Sequence, residues 1–194
     1  MKKISRYILV VTLLAGYYSA GAQRNIAEAT IAYDMTFQTG NGAPLTGATT
    51  TVFLKGNNSR TDMVSALGKE VTIFNSKSGN AVIIKEFSGQ KLMITLTKDK
   101  WKTKNKMYTD VKFELTDEYK IIGTYKTRKA IAKMPDGKSF EVYYAPDLVP
   151  SNKDYDATFT NLPGLAIEYE IESGKMKFKY TLAKINYDPV QVSQ

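Results

Sequence analysis

Residues 161–182 read NLPGLAIEYEIESGKMKFKYTL. From Leu165 the apolar residues fall on every second position: Leu165, Ile167, Tyr169 and Ile171 on one side, Glu168, Glu170 and Glu172 on the other. From Lys175 the pattern repeats with the sign of charge reversed. Met176, Phe178, Tyr180 and Leu182 alternate with Lys175, Lys177, Lys179 and Thr181. A period of two is the mark of a half-buried strand. Ser173-Gly174 between the two runs signals a tight turn. Closing that turn with Glu172 opposite Lys175 sets Glu170 against Lys177, Glu168 against Lys179, Tyr169 against Phe178 and Ile167 against Tyr180. Exposed ion pairs contribute little, so the hairpin is held by its aromatic and aliphatic face, and the charges keep the other face in water.

Working outward, nearly every segment reads as strand. Ala29–Thr39, Thr49–Lys55, Ser59–Val64, Glu70–Phe74, Ala81–Phe87, Lys91–Thr97, Lys112–Leu115, Ile121–Met134 and Lys138–Ala145 are separated by Gly-, Asn- and Asp-containing turns. Such spacing predicts an antiparallel all-β domain. Residues 146–163, rich in Asp, Asn and Pro, predict a loop with one helical turn near Lys153–Phe159. Asp188–Gln194 reads as a tail. The expected fold is all-β with minor helix: a large curved antiparallel sheet, a half-barrel with an apolar concave side.

The first 22 residues have a different character. Lys2, Lys3 and Arg6 precede a short apolar run, and Ala20-Gly21-Ala22 forms a small-x-small site before Gln23. This is the pattern of a secretory signal peptide, and it predicts a mature single domain over residues 23–194, periplasmic or secreted. No cysteine follows the apolar run, so a lipoprotein is not expected. Removal of three positive charges lowers the net charge from +8 to about +5. An exported chain of modest basicity points to an anionic surface rather than to nucleic acid.

The 194 residues include no histidine and no cysteine. That excludes Ser-His-Asp and Cys-His nucleophile arrangements and the usual zinc ligands. No phosphate-cradling or dinucleotide-binding glycine pattern is present. Neither an enzyme nor a cofactor is expected; a hydrolase acting through carboxylates is the third and weakest reading. Asp147, Asn152, Asp154 and Asp156 offer calcium-type oxygens, but without EF-hand spacing they read as caps and turns, and no metal is expected. Lys98, Lys100, Lys102, Lys104 and Lys106 alternate around Trp101. On a strand they form one basic stripe, either an anion- or membrane-facing surface or an edge kept soluble by lysine.

The last third carries a resemblance. Gly123 with the basic run Lys126–Lys129, Tyr143-Tyr144-Ala145-Pro146-Asp147-Leu148, and Leu162-Pro163-Gly164-Leu165 before a strand together resemble the GLPGLI-type exported proteins of Bacteroidetes. They also resemble related domains grouped with the LolA/LolB lipoprotein-carrier fold. Asn161 stands where the family name has glycine. The resemblance implies a curved sheet around short helices, and for LolA/LolB a concave face that holds acyl chains. The leading expectation is therefore a monomeric binding or carrier protein for a lipid or other apolar ligand. Its site would be lined by Ile167, Tyr169, Phe178 and Tyr180, with Phe159 and Leu162 on a plug or lid. The alternative is a structural or interaction protein of the envelope whose core is filled by its own loop.

Overall fold

The structure, a computed structural model, describes residues 23–40 and 42–191. Residues 1–22, with the expected signal peptide and cleavage site, lie outside the described residues. Thirteen strands follow one another: β1 (Arg24–Ile26), β2 (Glu28–Thr39), β3 (Leu45–Lys55), β4 (Asn58–Ser65), β5 (Gly68–Asn75), β6 (Ala81–Phe87), β7 (Gln90–Leu96), β8 (Lys112–Ile122), β9 (Tyr125–Lys133), β10 (Ser139–Ala145), β11 (Leu148–Pro150), β12 (Leu165–Ser173) and β13 (Met176–Asn186). Two short helices, α1 (Lys98–Lys104) and α2 (Lys106–Thr109), connect β7 to β8, and a 3-10 turn spans Lys153–Tyr155. Eleven strands form one antiparallel sheet in the order β7-β6-β5-β4-β3-β2-β13-β12-β10-β9-β8. The sheet is open, with β7 and β8 as its edges. β1 and β11 form a separate parallel pair.

The chain folds as two meanders because its turns are short and its apolar residues alternate. β2 shows the pattern clearly: Ala29, Ile31, Tyr33, Met35 and Phe37 are all buried, and the residues between them are not. Segment 151–164 crosses the face on which these residues lie. Phe159, in that segment, meets Phe113 of β8, Phe140 of β10 and Tyr169 of β12. Tyr155 and Asp156 border a small cavity with Tyr33 of β2, Thr50 and Val52 of β3 and Thr61 of β4. One short segment touches strands from β8 through β4, so the sheet is curved around it.

The β12–β13 hairpin differs from its sequence reading by two residues. Glu172 pairs with Lys177, Glu170 with Lys179, Ile171 with Phe178 and Tyr169 with Tyr180. The turn residues are Gly174 and Lys175, between the paired Ser173 and Met176. Gly174 has φ +62° and stands first of the two, where a II′ turn asks for glycine. A slip of two keeps every side chain on its face, so the glutamates and lysines stay outside. Lys177 reaches Glu172 at 3.2 Å and Glu170 at 3.9 Å, and Lys179 reaches Glu168 at 3.3 Å.

Two further expectations are corrected. Ile121–Met134 is not one strand, since Gly123 at φ +57° turns the chain between β8 and β9. Lys98–Lys106 is not a strand either. On helices α1 and α2 alternate residues lie about 200° apart, so Lys98, Lys100, Lys102, Lys104 and Lys106 spread around the axis and make no single stripe. The residues that face inward from this segment are Trp101 and Asn105, four apart. The Trp101 ring stacks on Phe74 of β5 at 5.0 Å, and Asn105 Nδ2 donates to the Trp101 carbonyl at 3.0 Å.

Candidate functional site

The concave face divides into a sealed half and an open half. The sealed half lies under segment 151–164. There Phe159 is 5% exposed and Leu162 2%, and Ile167 and Tyr169 are buried against them. Phe159 packs edge-on to Tyr169 at 4.7 Å, and Tyr169 stacks on Tyr180, also at 4.7 Å. The segment is anchored at its end. Asn161 Nδ2 donates to the carbonyl of Val111 at 3.2 Å. Gly164 lies so close to β10 that a Cβ there would overlap the carbonyl of Ala145. This gives Leu162-Pro163-Gly164-Leu165 a physical meaning: two buried leucines flank a glycine that lets the backbone approach the sheet.

The open half lies beyond the segment, at the turn ends of β4–β5 and β6–β7. Met35, Phe37 and Ala48 form a second buried cluster, with Met63, Met176 and Phe178 packed on it. Over them runs a groove of about 400 Å³, bordered also by Leu67 and Phe87. That is within the size range of small-molecule sites. Methionines are adaptable linings for apolar ligands of irregular shape. Glu70 and Lys85, opposite one another on β5 and β6, form an ion pair at 2.7 Å on the groove's wall.

The six residues expected at a ligand site are therefore split. Phe159, Leu162, Ile167 and Tyr169 belong to the main core, Phe178 lines the groove, and Tyr180 packs against both clusters. Met35, Phe37, Met63, Phe87 and Met176 escaped the sequence reading. Their alternation placed them on an apolar face, but only the strand order brings β2, β4, β6 and β13 around one groove.

A polar point sits inside the sealed half. Tyr33, Thr50, Thr61, Tyr155 and Asp156 border a cavity of about 40 Å³, room for one water molecule. Thr50 Oγ1 is buried without a hydrogen-bond partner among the described residues. The Tyr33 hydroxyl donates to the Ala166 carbonyl at 2.8 Å. Asp156 keeps a partial opening to solvent, yet burial among the aromatic rings raises its pKa, against the Thr158 backbone N–H that donates to it at 2.9 Å. Burial also raises the tyrosines: Tyr169 well above the ordinary value, and Tyr180 to about 12 with help from the Asp156 charge. On the outer face the signs reverse. Burial opposes ionisation of Glu168, but Lys120 and Lys179 outweigh it and lower its pKa.

No family model matches the chain, and no curated protein matches its sequence. Solved structures similar to it include PNGF-II, at 14% identity and TM-score 0.48 over 86% of this chain. The chain spans 28% of that protein's length. The LolA superfamily protein NE2245 from Nitrosomonas europaea matches at 8% identity and TM-score 0.36, over 84% of this chain and 87% of its own. A beta-barrel-like protein of domain of unknown function DUF1849 from Brucella abortus matches at 8% identity and TM-score 0.41, over 84% and 98%. At such scores the likenesses decide neither ligand nor activity.

Proposed function

We propose that this chain is a non-enzymatic binding or carrier protein of the cell envelope that takes a single apolar chain, such as a lipid acyl group, into the groove beside Phe178. The observation that carries this reading is the groove itself. The concave face is sealed under segment 151–164 but leaves about 400 Å³ open over Met35, Phe37, Met63, Met176 and Phe178. Water in contact with these side chains is displaced by an apolar ligand, at about 0.8 kcal/mol for each methylene buried. Export rests on the N-terminal charge, apolar run and cleavage pattern of the sequence. Lys98, Lys100, Lys102, Lys104 and Lys106 have no carboxylate partner within 4 Å among the described residues. They supply a basic cap for peripheral contact with an anionic envelope surface.

The filled half of the interior favours a second reading, in which the domain is a structural or interaction protein with no small ligand. Titration with a fluorescent long-chain fatty acid separates the two. The carrier reading expects saturable binding, weakened about tenfold by Phe178→Ala, the loss of roughly 1.4 kcal/mol of apolar contact. Absence of saturable binding to any acyl probe overturns it.

A further inference from the structure

The two edges of the sheet differ in kind. β8 carries Lys112, Glu114, Asp117, Glu118 and Lys120, and its register shifts between Leu115 and Tyr119. Charges and a bulge are the usual protection of an exposed edge against pairing with another chain. β7 has no bulge and far less charge. Its seven residues, QKLMITL, pair with β6 without a break from Gln90 to Leu96. It contains no proline and one charge, Lys91, which is already ion-paired to Glu86 at 3.4 Å. Leu92 is 50% exposed and Met93 69%. On the side away from β6 its backbone donors and acceptors have no partner in the sheet.

We propose that β7 is an interaction surface through which two copies of this chain pair, antiparallel, about a two-fold axis at Met93. This proposal does not depend on the groove or its ligand. It departs from the monomer expected of the carrier reading. The sequence of the strand chooses the occupant. With Met93 opposite Met93 of the second copy, Gln90 meets Leu96, Lys91 meets Thr95 and Leu92 meets Ile94. All seven residues find a partner, and no lysine faces a lysine. Leu92 and Ile94 lie on the face that carries Ile83 and Lys85, Met93 on the face that carries Ile84, so Leu92–Ile94 contacts form on the concave side and Met93–Met93 on the convex side. Cross-strand apolar pairs of this kind stabilise a ladder, and like charges opposed would destabilise it. An isologous contact of this sort closes on itself and gives a dimer rather than a fibre. One strand on each side is a small interface, so the dimer dissociates on dilution.

Sedimentation velocity of the mature chain over a range of concentrations tests this. Wild-type protein is expected to shift from monomer to dimer as concentration rises. Met93→Lys and Met93→Glu each set like charges on the two-fold axis and are expected to stay monomeric. An equimolar mixture of the two variants is expected to recover the dimer, because Lys then faces Glu. Met93 is largely exposed, so both variants should melt like wild type. Hydrogen exchange on the wild type is independent of how the variants fold: the β7 amides that point away from β6 should slow at least tenfold at high concentration. A wild type that is monomeric at all concentrations overturns the proposal. So does a dimer that survives Met93→Lys, a mixture that stays monomeric, or β7 exchange that ignores concentration.

Discussion

Phe159→Ala is the perturbation that tests how the concave face is divided. The ring is 5% exposed and touches three aromatic neighbours: Phe113 at 6.3 Å, Phe140 at 6.4 Å and Tyr169 at 4.7 Å between centroids. Removing a buried Phe costs about 3–5 kcal/mol when the site does not collapse. Collapse is opposed here, since the neighbours stand on three different strands of one hydrogen-bonded sheet. The edge-to-face contacts with Phe140 and Tyr169 add specific attraction to the burial term, which places the loss in the upper part of that range. For a domain of this size it lowers the melting temperature by about 8–20 °C. Urea unfolding is the assay, and the midpoint should fall with the slope unchanged. Fatty-acid binding to the folded variant should be little affected, because Phe159 does not border the groove. A loss under about 1 kcal/mol with altered probe uptake would refute this reasoning. It would mean that segment 151–164 is a movable lid and not a fixed plug.

Two other changes probe the same segment. Asp156→Asn should raise stability at neutral pH. Burial lifts the folded pKa of Asp156, so its contribution is most favourable below the unfolded value near 4 and is lost as pH rises through the folded value. Melting curves of variant and wild type should meet at about pH 3 and separate towards pH 7, and a wild type that is equally or more stable at pH 7 contradicts the argument. Gly164→Ala should destabilise the protein by at least about 1–3 kcal/mol, since the new methyl overlaps the Ala145 carbonyl and comes within 2.9 Å of the Tyr144 ring; an unchanged urea midpoint would show that β10 and the segment are not held this closely.

Much of the fold was legible because a strand's side-chain period is short and its errors come in steps. The hairpin that opens the sequence reading was placed two residues out of register, yet every residue stayed on its face. Ser173-Gly174 reads as the turn centre, whereas Gly174 and Lys175 occupy it. The turn at Gly123 was hidden because Ile121-Ile122 and Thr124-Tyr125 on either side have strong strand character. The lysine segment misled for a different reason. Alternating charge imitates a strand, while the weaker helical signal, Trp101 and Asn105 one turn apart, gives only one turn of inward-facing residues. The candidate groove was half legible. Alternation alone puts Phe178, which borders it, and Tyr180, which does not, on the concave face. Their partners on β2 and β4 required the strand order, which places β13 beside β2 and which no local pattern encodes.

The Glu70–Lys85 ion pair marks where the core ends. Along β5 and β6 the concave-facing residues run from Phe74 and Ala81, through Thr72 and Ile83, to Glu70 and Lys85, and then to Gly68 and Phe87. The first pair is covered by Trp101 of α1. The third is charged, and a charged pair on an inward face is costly unless water or a polar partner reaches it. Segment 151–164 is held by Asn161 and Gly164 over the opposite wing of the sheet, and α1 covers the far end of β5. Neither borders the groove, so the sheet alone faces that space. A chain that filled its own concave face would place apolar residues at 70 and 85, as it does at 74 and 83. The ion pair beside Met63 and Phe178 instead keeps one wall of the groove wet while its floor remains apolar. That combination suits a ligand with a hydrocarbon body and a polar end, and it is the feature by which the carrier reading stands apart from a self-filled domain.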